Sequence, residues 1–200
     1  MDTQQSLKSL LHDTDGFHGG ATVSDLRIGN EVLEYIFNTT DSSMTTLETG
    51  SGFTTAVFAM QGCRHTAIAP FKNEFERIKK WCADREISCD NISFVDGKSQ
   101  EVLPRLLLPK LDMVVIDGAH EFPMPYIDFA YTYEAIKVGG RLVIDDLPIA
   151  SVALLAHFVN TEQGRWKAVM GNDKTIIFEK LCEFGRIDWF RQPFNNPQSN

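Results

Sequence analysis

Two short runs of purely apolar residues constrain the fold of this chain more than any other feature. They are Met113–Ile116 and Leu142–Ile144, and neither alternates polar with apolar residues as a strand with one solvent-exposed face would. A strand that is apolar on both faces has to be covered on both faces. That arrangement is typical of a parallel sheet between two layers of helices. The runs therefore indicate an α/β protein.

Similar runs recur along the chain and are separated by helical patterns. Residues 74–84 and 126–136 have apolar residues at helical spacing, and Gly139-Gly140 is predicted to end the second of these helices. The predicted parallel strands are, in chain order, Met44–Glu48, Arg64–Ala69, Ile92–Asp96, Met113–Asp117 and Arg141–Asp145.

The C-terminal part of the pattern is different. Trp166–Met170 and Thr175–Lys180 flank a turn sequence, Gly171–Lys174, which predicts an antiparallel hairpin. The expected fold is therefore α/β: a Rossmann-like, doubly wound sheet of five parallel strands plus a C-terminal antiparallel hairpin, with helices on both faces. We expect one domain, with an N-terminal segment at 1–23, a core at 24–180 and a tail at 181–200.

Charge and cysteine usage narrow the class of partner. The chain has 27 acidic and 19 basic residues, a net charge of −8 that repels phosphate backbones, so no nucleic-acid partner is expected. Its 4 cysteines lack CxxC spacing, which predicts reduced thiols and a cytoplasmic location. The longest apolar stretch, Ile149–Val159, is too short to cross a bilayer, so no membrane partner is expected.

The tail carries several aromatic residues among polar ones. It is predicted either to pack on the body of the protein or to contact a second copy and form a homo-oligomer, and both alternatives stay open. The aromatic residues are Phe184, Trp189, Phe190 and Phe194.

A glycine-rich loop follows the first predicted strand, where ligands bind in doubly wound sheets. Gly50 and Gly52 allow a sharp turn and a close approach of backbone to ligand, and Glu48 precedes them. This predicts a site for a nucleotide-like ligand, with an ordinary strand–helix turn as the alternative. A dinucleotide is disfavoured, because Thr55 replaces the third glycine and no acid ends the second strand in Thr66–Phe71.

Carboxylates follow the fourth and fifth predicted strands. Asp117, Asp145 and Asp146 would meet at one rim of the sheet, and three such groups repel one another unless a cation such as Mg²⁺ neutralises them. The alternative is that each one caps the turn that follows it. His120 lies beside them and is predicted to act as a base, whereas the other histidines, at 12, 18, 65 and 157, are taken as unremarkable surface groups.

Taken together, these motifs resemble those of class I S-adenosylmethionine-dependent methyltransferases. Glu48–Gly52 resembles the ExGxG loop after the first strand, and Gly97–Pro104 is similar to the GxSQxxxP stretch of catechol O-methyltransferase. Asp117–His120 and Gly139–Asp146 resemble the DGxH and GGxxxxDD segments of metal-dependent sugar and macrolide O-methyltransferases. The order of the motifs makes the resemblance specific.

The resemblance implies a role for each matching residue. Gly50, Ser51 and Gly52 would line the methionine and ribose part of the cofactor, with Glu48 near its amino end. Ser99 and Gln100 would contact the adenine. Asp117, Asp145 and Asp146 would bind the metal. Asp117 would also contact the cofactor and would act in catalysis together with His120.

The expected activity is methyl transfer to a hydroxyl of a small molecule, sugar-like or diol- or catechol-like, with a divalent metal. Two residues depart from the family pattern: Ala69 stands near the place of the ribose-binding acid, and Lys98 replaces an acid near the adenine. A non-catalytic module that binds the cofactor or serves in an assembly is therefore the alternative function.

Overall fold

A mixed sheet of seven strands forms the centre of the protein in a computed structural model that describes residues 2–13, 17, 27–183 and 189–195. The strand order is β3-β2-β1-β4-β5-β7-β6, with the first five strands parallel and β7 antiparallel to both of its neighbours. The strands are β1 (Thr45–Thr49), β2 (Arg64–Ala69), β3 (Ile92–Asp96), β4 (Leu111–Ile116), β5 (Ile136–Ile144), β6 (Trp166–Gly171) and β7 (Ile176–Lys180).

Seven α-helices in the described part of the chain cover the sheet on both faces. One buried cluster joins the first four helices to the sheet, and a second joins the last two and the segment near Leu103 to the opposite face. The helices are α1 (Thr3–Leu11), α2 (Asn30–Thr39), α3 (Phe53–Met60), α4 (Lys72–Ala83), α5 (Ser99–Val102), α6 (Met124–Thr132) and α7 (Ala150–Thr161). This architecture confirms the predicted fold class.

The order of the strands determines where a ligand can bind. The chain proceeds outward from β1 to β3 on one side and from β4 to β5 on the other, so the order reverses between β1 and β4. At such a reversal the loops after the two strands turn to opposite faces and leave a crevice at their carboxyl ends. The glycine loop after β1 and the segment Asp117–His120 after β4 both lie at this crevice.

The fifth strand begins earlier than the sequence predicts. The predicted helix 126–136 ends at Thr132, and Ile136 already pairs with Leu111 of β4. Gly139, at φ +82°, and Gly140 lie within β5 at a shift of register and do not end a helix. A Cβ atom on Gly140 would lie 2.9 Å from the Lys137 carbonyl oxygen, so glycine is needed here because the backbone folds closely on itself.

The C-terminal hairpin is present and adds two antiparallel strands to the edge of the parallel sheet. Beyond it, the Phe194 ring packs on Phe158 of α7 at 5.1 Å between centroids, which corresponds to packing of the tail on the body. Phe184 lies outside the described residues, and an oligomer through the tail stays a prediction. None of the helices in the described ranges is long and apolar enough to cross a membrane.

The position of β7 between β5 and β6 predicts the effect of a core substitution. Phe178 is fully buried and lies opposite Leu142 and Ala168. Replacing Phe178 by Ala should lower the free energy of unfolding by about 3–5 kcal/mol, because it leaves a cavity in the sheet core. Urea denaturation measures this change, with the exposed Lys167→Ala of β6 as control. A loss no larger than that of the control would contradict the placement of β7.

Candidate active site

A cavity of about 880 Å³ opens at the carboxyl ends of the parallel strands. It is continuous from the loop after β1, across the ends of β2 and β3, to the rim after β4 and β5. The polar side chains that line it include Ser51, Glu74, Asp96, Ser99, Gln100, Asp117, His120 and Asp146. The size suits a small organic ligand together with a second molecule, since such sites commonly measure roughly 300–1,000 Å³.

Gly50 brings the first loop against the fourth strand. Its φ of +107° is rarely adopted by residues with a side chain, and a Cβ atom there would lie 2.2 Å from the Asp117 carbonyl oxygen. The Gly50 N–H donates to the Ile68 carbonyl at 2.8 Å, so the loop is tied to β2 as well. The predicted requirement for glycine in this loop is therefore explained by backbone packing, which leaves a cradle beside the cavity.

Glu48 lies beneath this loop and does not line the cavity. Its carboxylate is 1% exposed, accepts hydrogen bonds from the Thr54 and Thr55 hydroxyls, and lies 3.0 Å from His65 Nε2. His65 is itself buried and stacks on Phe58, contrary to the expectation that it is a surface group. Glu48 thus holds the start of α3 in place from behind the loop, and its direct contact with a cofactor stays a prediction.

Glu74 provides a carboxylate that the sequence interpretation missed. It lies in the first turn of α4, is 8% exposed, lines the cavity, and accepts a hydrogen bond from Ser51 Oγ at 3.0 Å. The expected place for an acid was the end of β2, where Ala69 and Pro70 stand. The available signal was a glutamate at the start of the predicted helix 74–84, because the first turn of a helix that follows a strand lies at the same crevice.

The remaining predicted cofactor residues have different environments. Ser99 begins α5 and is buried, and Gln100 follows it; both line the cavity on the side of β3. Gly52 precedes α3 and does not line the cavity, and its N–H donates to Thr55 Oγ1 at 3.0 Å. The structure thus brings Gly50, Ser51, Ser99 and Gln100 to one cavity, with Gly52 and Glu48 behind it.

His120 and Asp146 form a hydrogen-bonded pair at the other end of the cavity. His120 Nε2 lies 2.9 Å from Asp146 Oδ2, and the His120 carbonyl accepts a hydrogen bond from Ser151 Oγ. Asp146 has φ +66°, a left-handed conformation that Asp adopts more readily than most residues and that directs its carboxylate toward His120. Burial raises the pKa of Asp146, but the His120 hydrogen bond and the Lys174 charge outweigh it and leave that pKa below its ordinary value.

Two further carboxylates make this rim strongly acidic. Burial and then the charges of Asp145 and Asp146 raise the pKa of Asp117 well above its ordinary value. Asp145 is fully buried, its Oδ1 accepts a hydrogen bond from Thr175 Oγ1, and burial raises its pKa as well. Both shifts reflect the cost of placing negative charges close together away from water.

Lys174 was not predicted as a site residue, yet its ammonium lies among these carboxylates. Lys174 Nζ is 3.2 Å from Asp146 Oδ1 and 3.5 Å from Asp145 Oδ2. Burial lowers the pKa of Lys174, but the two carboxylates raise it more, so the pKa is above its ordinary value and the group carries a charge at neutral pH. The sequence showed Lys174 only as part of a hairpin turn, because the turn and the strand ends meet only in three dimensions.

The predicted metal site can be compared with this geometry. Among the described residues, ligand atoms of Asp117, His120 and Asp146 lie within 4.8 Å of one another, close enough to share an ion. Asp145 is not part of that group, and both oxygens of Asp146 already have partners, His120 and Lys174. A divalent ion would compete with an adjacent ammonium for Asp146, so the residues present fit the predicted three-aspartate metal site poorly.

Comparison with known families agrees with the position of this cavity. A family model described as a methyltransferase domain matches residues 47–147, from β1 through Asp146. The match spans every residue that lines the cavity. The chain belongs to the class I S-adenosylmethionine-dependent methyltransferases. The resemblance found in the sequence motifs is thereby confirmed.

Solved structures show the same fold at low sequence identity. The O-methyltransferase TomG from Streptomyces achromogenes, solved with S-adenosylmethionine (SAM), is 17% identical with a TM-score of 0.65 over 89% of this methyltransferase and 90% of TomG. An O-methyltransferase from Bacillus cereus, solved with S-adenosylhomocysteine (SAH), is 12% identical with a TM-score of 0.65 over 88% and 90%.

A ribosomal RNA methylase from Streptococcus thermophilus has the fold as well, at 16% identity and a TM-score of 0.59 over 76% of this chain and 96% of its own. No curated protein sequence matches this methyltransferase. At these identities the neighbours establish the fold, and they do not identify the methyl acceptor.

The close contact at Gly50 predicts the effect of one substitution on ligand binding. In this methyltransferase, Gly50→Ala should abolish binding of SAM, because the added Cβ would overlap the Asp117 carbonyl and push the loop into the cavity. Isothermal titration calorimetry measures the binding. Gly164→Ala is the control, since Gly164 has a similar positive φ with nothing within 4 Å of the added Cβ. Unchanged affinity in Gly50→Ala would contradict the role given to the close contact.

Proposed function

We propose that this methyltransferase transfers a methyl group from SAM to a hydroxyl of a small molecule, sugar-like or diol- or catechol-like. The observation that carries the proposal is the His120–Asp146 pair at one end of a cavity whose other end is the glycine loop. The cavity thus has a place for a methyl donor and, beside it, a group able to accept a proton from a hydroxyl.

The cofactor would occupy the part of the cavity between β1 and β3. Gly50 leaves room for close approach of a ligand to the backbone, and Ser99 and Gln100 offer polar contacts on the adenine side. Glu74 is the residue we assign to the ribose hydroxyls, since a carboxylate accepts hydrogen bonds from two neighbouring hydroxyls and the end of β2 has none. These features support use of SAM by this chain.

The methyl group of SAM, when bound, is attached to a sulfonium and is transferred as the carbon–sulfur bond breaks. The protein's part of the reaction is to position the acceptor and remove its proton. With Nε2–H donated to Asp146, His120 retains Nδ1 as the basic nitrogen, which takes the hydroxyl proton as the oxygen–carbon bond forms. Asp146 stays ionised because of its low pKa, and it holds the ring orientation and stabilises the imidazolium that results.

The net charge of the chain and the size of the cavity support a small molecule as the methyl acceptor. The net charge of −8 disfavours a polyanion such as RNA, and the cavity of about 880 Å³ accommodates a small molecule beside the cofactor.

Four free cysteines are consistent with the cytoplasm, which we propose as the location. Assembly into a homo-oligomer stays a prediction of the sequence. Dependence on Mg²⁺ stays one too, although the contacts of Asp146 with His120 and Lys174 disfavour it.

Binding of SAM tests the cofactor part of the proposal. Calorimetry should show one site for SAM, and Glu74→Gln should weaken it by about tenfold or more, because a charge-assisted hydrogen bond becomes a neutral one. Glu76→Gln is the matched control, since Glu76 lies on the same helix with 71% of its side chain exposed. Equal dissociation constants for the Glu74 and Glu76 variants would exclude Glu74 as the ribose acceptor.

Transfer of a radiolabelled methyl group to a panel of sugars, catechols and other diols tests the reaction. For any acceptor found, His120→Ala should lower kcat by about 10²-fold or more while the SAM dissociation constant stays unchanged. His157→Ala on the exposed side of α7 is the control. A His120 variant with parental kcat would show that His120 is not the base, and SAM binding without transfer to any acceptor would favour the non-catalytic module.

A further inference from the structure

The turn between β6 and β7 is built to hold Lys174 in one position. Asn172 Oδ1 accepts hydrogen bonds from the backbone N–H groups of Lys174, at 2.8 Å, and Thr175, at 2.6 Å. The Lys174 carbonyl accepts from the Leu147 N–H at 2.8 Å, which ties the turn to the chain just after Asp146. These hydrogen bonds therefore fix the backbone of Lys174 on both sides, independently of the contacts that its side chain makes.

The Lys174 ammonium faces three oxygen atoms: it donates a hydrogen bond to one of them and forms ion pairs with the other two. They are the Arg27 carbonyl at 2.8 Å, Asp146 Oδ1 at 3.2 Å and Asp145 Oδ2 at 3.5 Å. Its side chain is 25% exposed, so the charge is partly withdrawn from water and interacts strongly with the carboxylates. A lysine that lies among these oxygen atoms compensates the negative charge of the carboxylates much as a bound cation would.

Asp145 and Asp146 each face Lys174 with one carboxylate oxygen and contact another residue with the other. Asp145 accepts a hydrogen bond from Thr175 at Oδ1, and its Oδ2, which has no hydrogen-bond partner among the described residues, lies 3.5 Å from Lys174 Nζ. Asp146 binds Lys174 through Oδ1 and His120 through Oδ2. A divalent ion at this rim would have to share the oxygens of Asp146 with His120 and Lys174, and it would lie close to an ammonium that repels it.

We infer that Lys174 is the resident cation of this carboxylate cluster and takes the place of a divalent metal ion at the rim of the active site. Lys174 neutralises Asp145 and Asp146, and it acts as a positioning residue because it leaves Asp146 Oδ2 aligned with His120. The use of this alignment in catalysis rests on the proposed function. The effect of the Lys174 charge on metal-ion binding does not rest on the proposed function, and it can be measured without SAM or a methyl acceptor.

Titration with MnCl₂ followed by electron paramagnetic resonance tests the inference, because Mn²⁺ is a spectroscopic substitute for Mg²⁺. The wild-type protein should have no stoichiometric site tighter than about 1 mM. Lys174→Gln should bind one Mn²⁺ at least about tenfold more tightly, since removal of the ammonium leaves Asp117 and Asp146 without a compensating charge. The added Asp146→Asn in a Lys174→Gln background should abolish that gain.

Two variants separate charge from a general effect of substitution. Lys174→Arg keeps the positive charge and should bind Mn²⁺ as weakly as the wild type. Lys167→Gln removes an exposed lysine from the same hairpin and should have no effect either. A wild-type protein that binds one Mn²⁺ with a dissociation constant clearly below about 1 mM would overturn the inference. Equal Mn²⁺ affinity in the wild type and Lys174→Gln would overturn it as well.

The wild-type titration decides the question even if Lys174→Gln does not fold, because tight binding of Mn²⁺ beside an intact Lys174 is incompatible with the inference. Failure of the proposed function gives a different result, namely no binding of SAM in calorimetry. The two proposals can therefore fail independently.

Discussion

The contact between the loops that follow β1 and β4 is the constraint on which the rest of the site depends. The Asp117 N–H donates to the Thr49 carbonyl at 3.0 Å, and the Asp117 carbonyl lies where a side chain on Gly50 would be. A Cβ atom added to Gly118 would lie 3.3 Å from Thr49, a less severe but still tight contact. Because backbone packs directly on backbone here, the glycine loop and the acidic rim belong to one rigid unit with a cavity between them.

Electrostatics at the rim follow from that packing. Three carboxylates lie at the ends of two neighbouring strands, and burial, followed by their mutual repulsion, raises the pKa of Asp117 and Asp145. Asp146 is the exception, because Lys174 and His120 face its two oxygens and keep its pKa low. One site therefore contains carboxyl groups with different protonation behaviour, which is what the assignment of Asp146 as the partner of His120 requires.

Particular residues show how far prediction from the sequence reached. The strands β2 and β3 have the predicted bounds, and the continuous apolar runs lie in β4 and β5, where helices cover both faces. The start of β5 was missed, because Gly139-Gly140 ends a helix in most contexts and here allows a strand to bend. Glu74 was missed because the family pattern places the acid at the end of β2, whereas here the first turn of α4 supplies it.

The sequence by itself determined the doubly wound sheet, the glycine loop, and the presence of carboxylates and a histidine at the ends of β4 and β5. These are local properties, set by periodicity and by which residues follow each apolar run. Only the tertiary structure decided that Glu48 is paired with His65 behind the loop and that Lys174 lies between Asp145 and Asp146. Such pairs join residues far apart in the chain. Their geometry depends on how whole helices and strands pack, so no local sequence pattern predicts it.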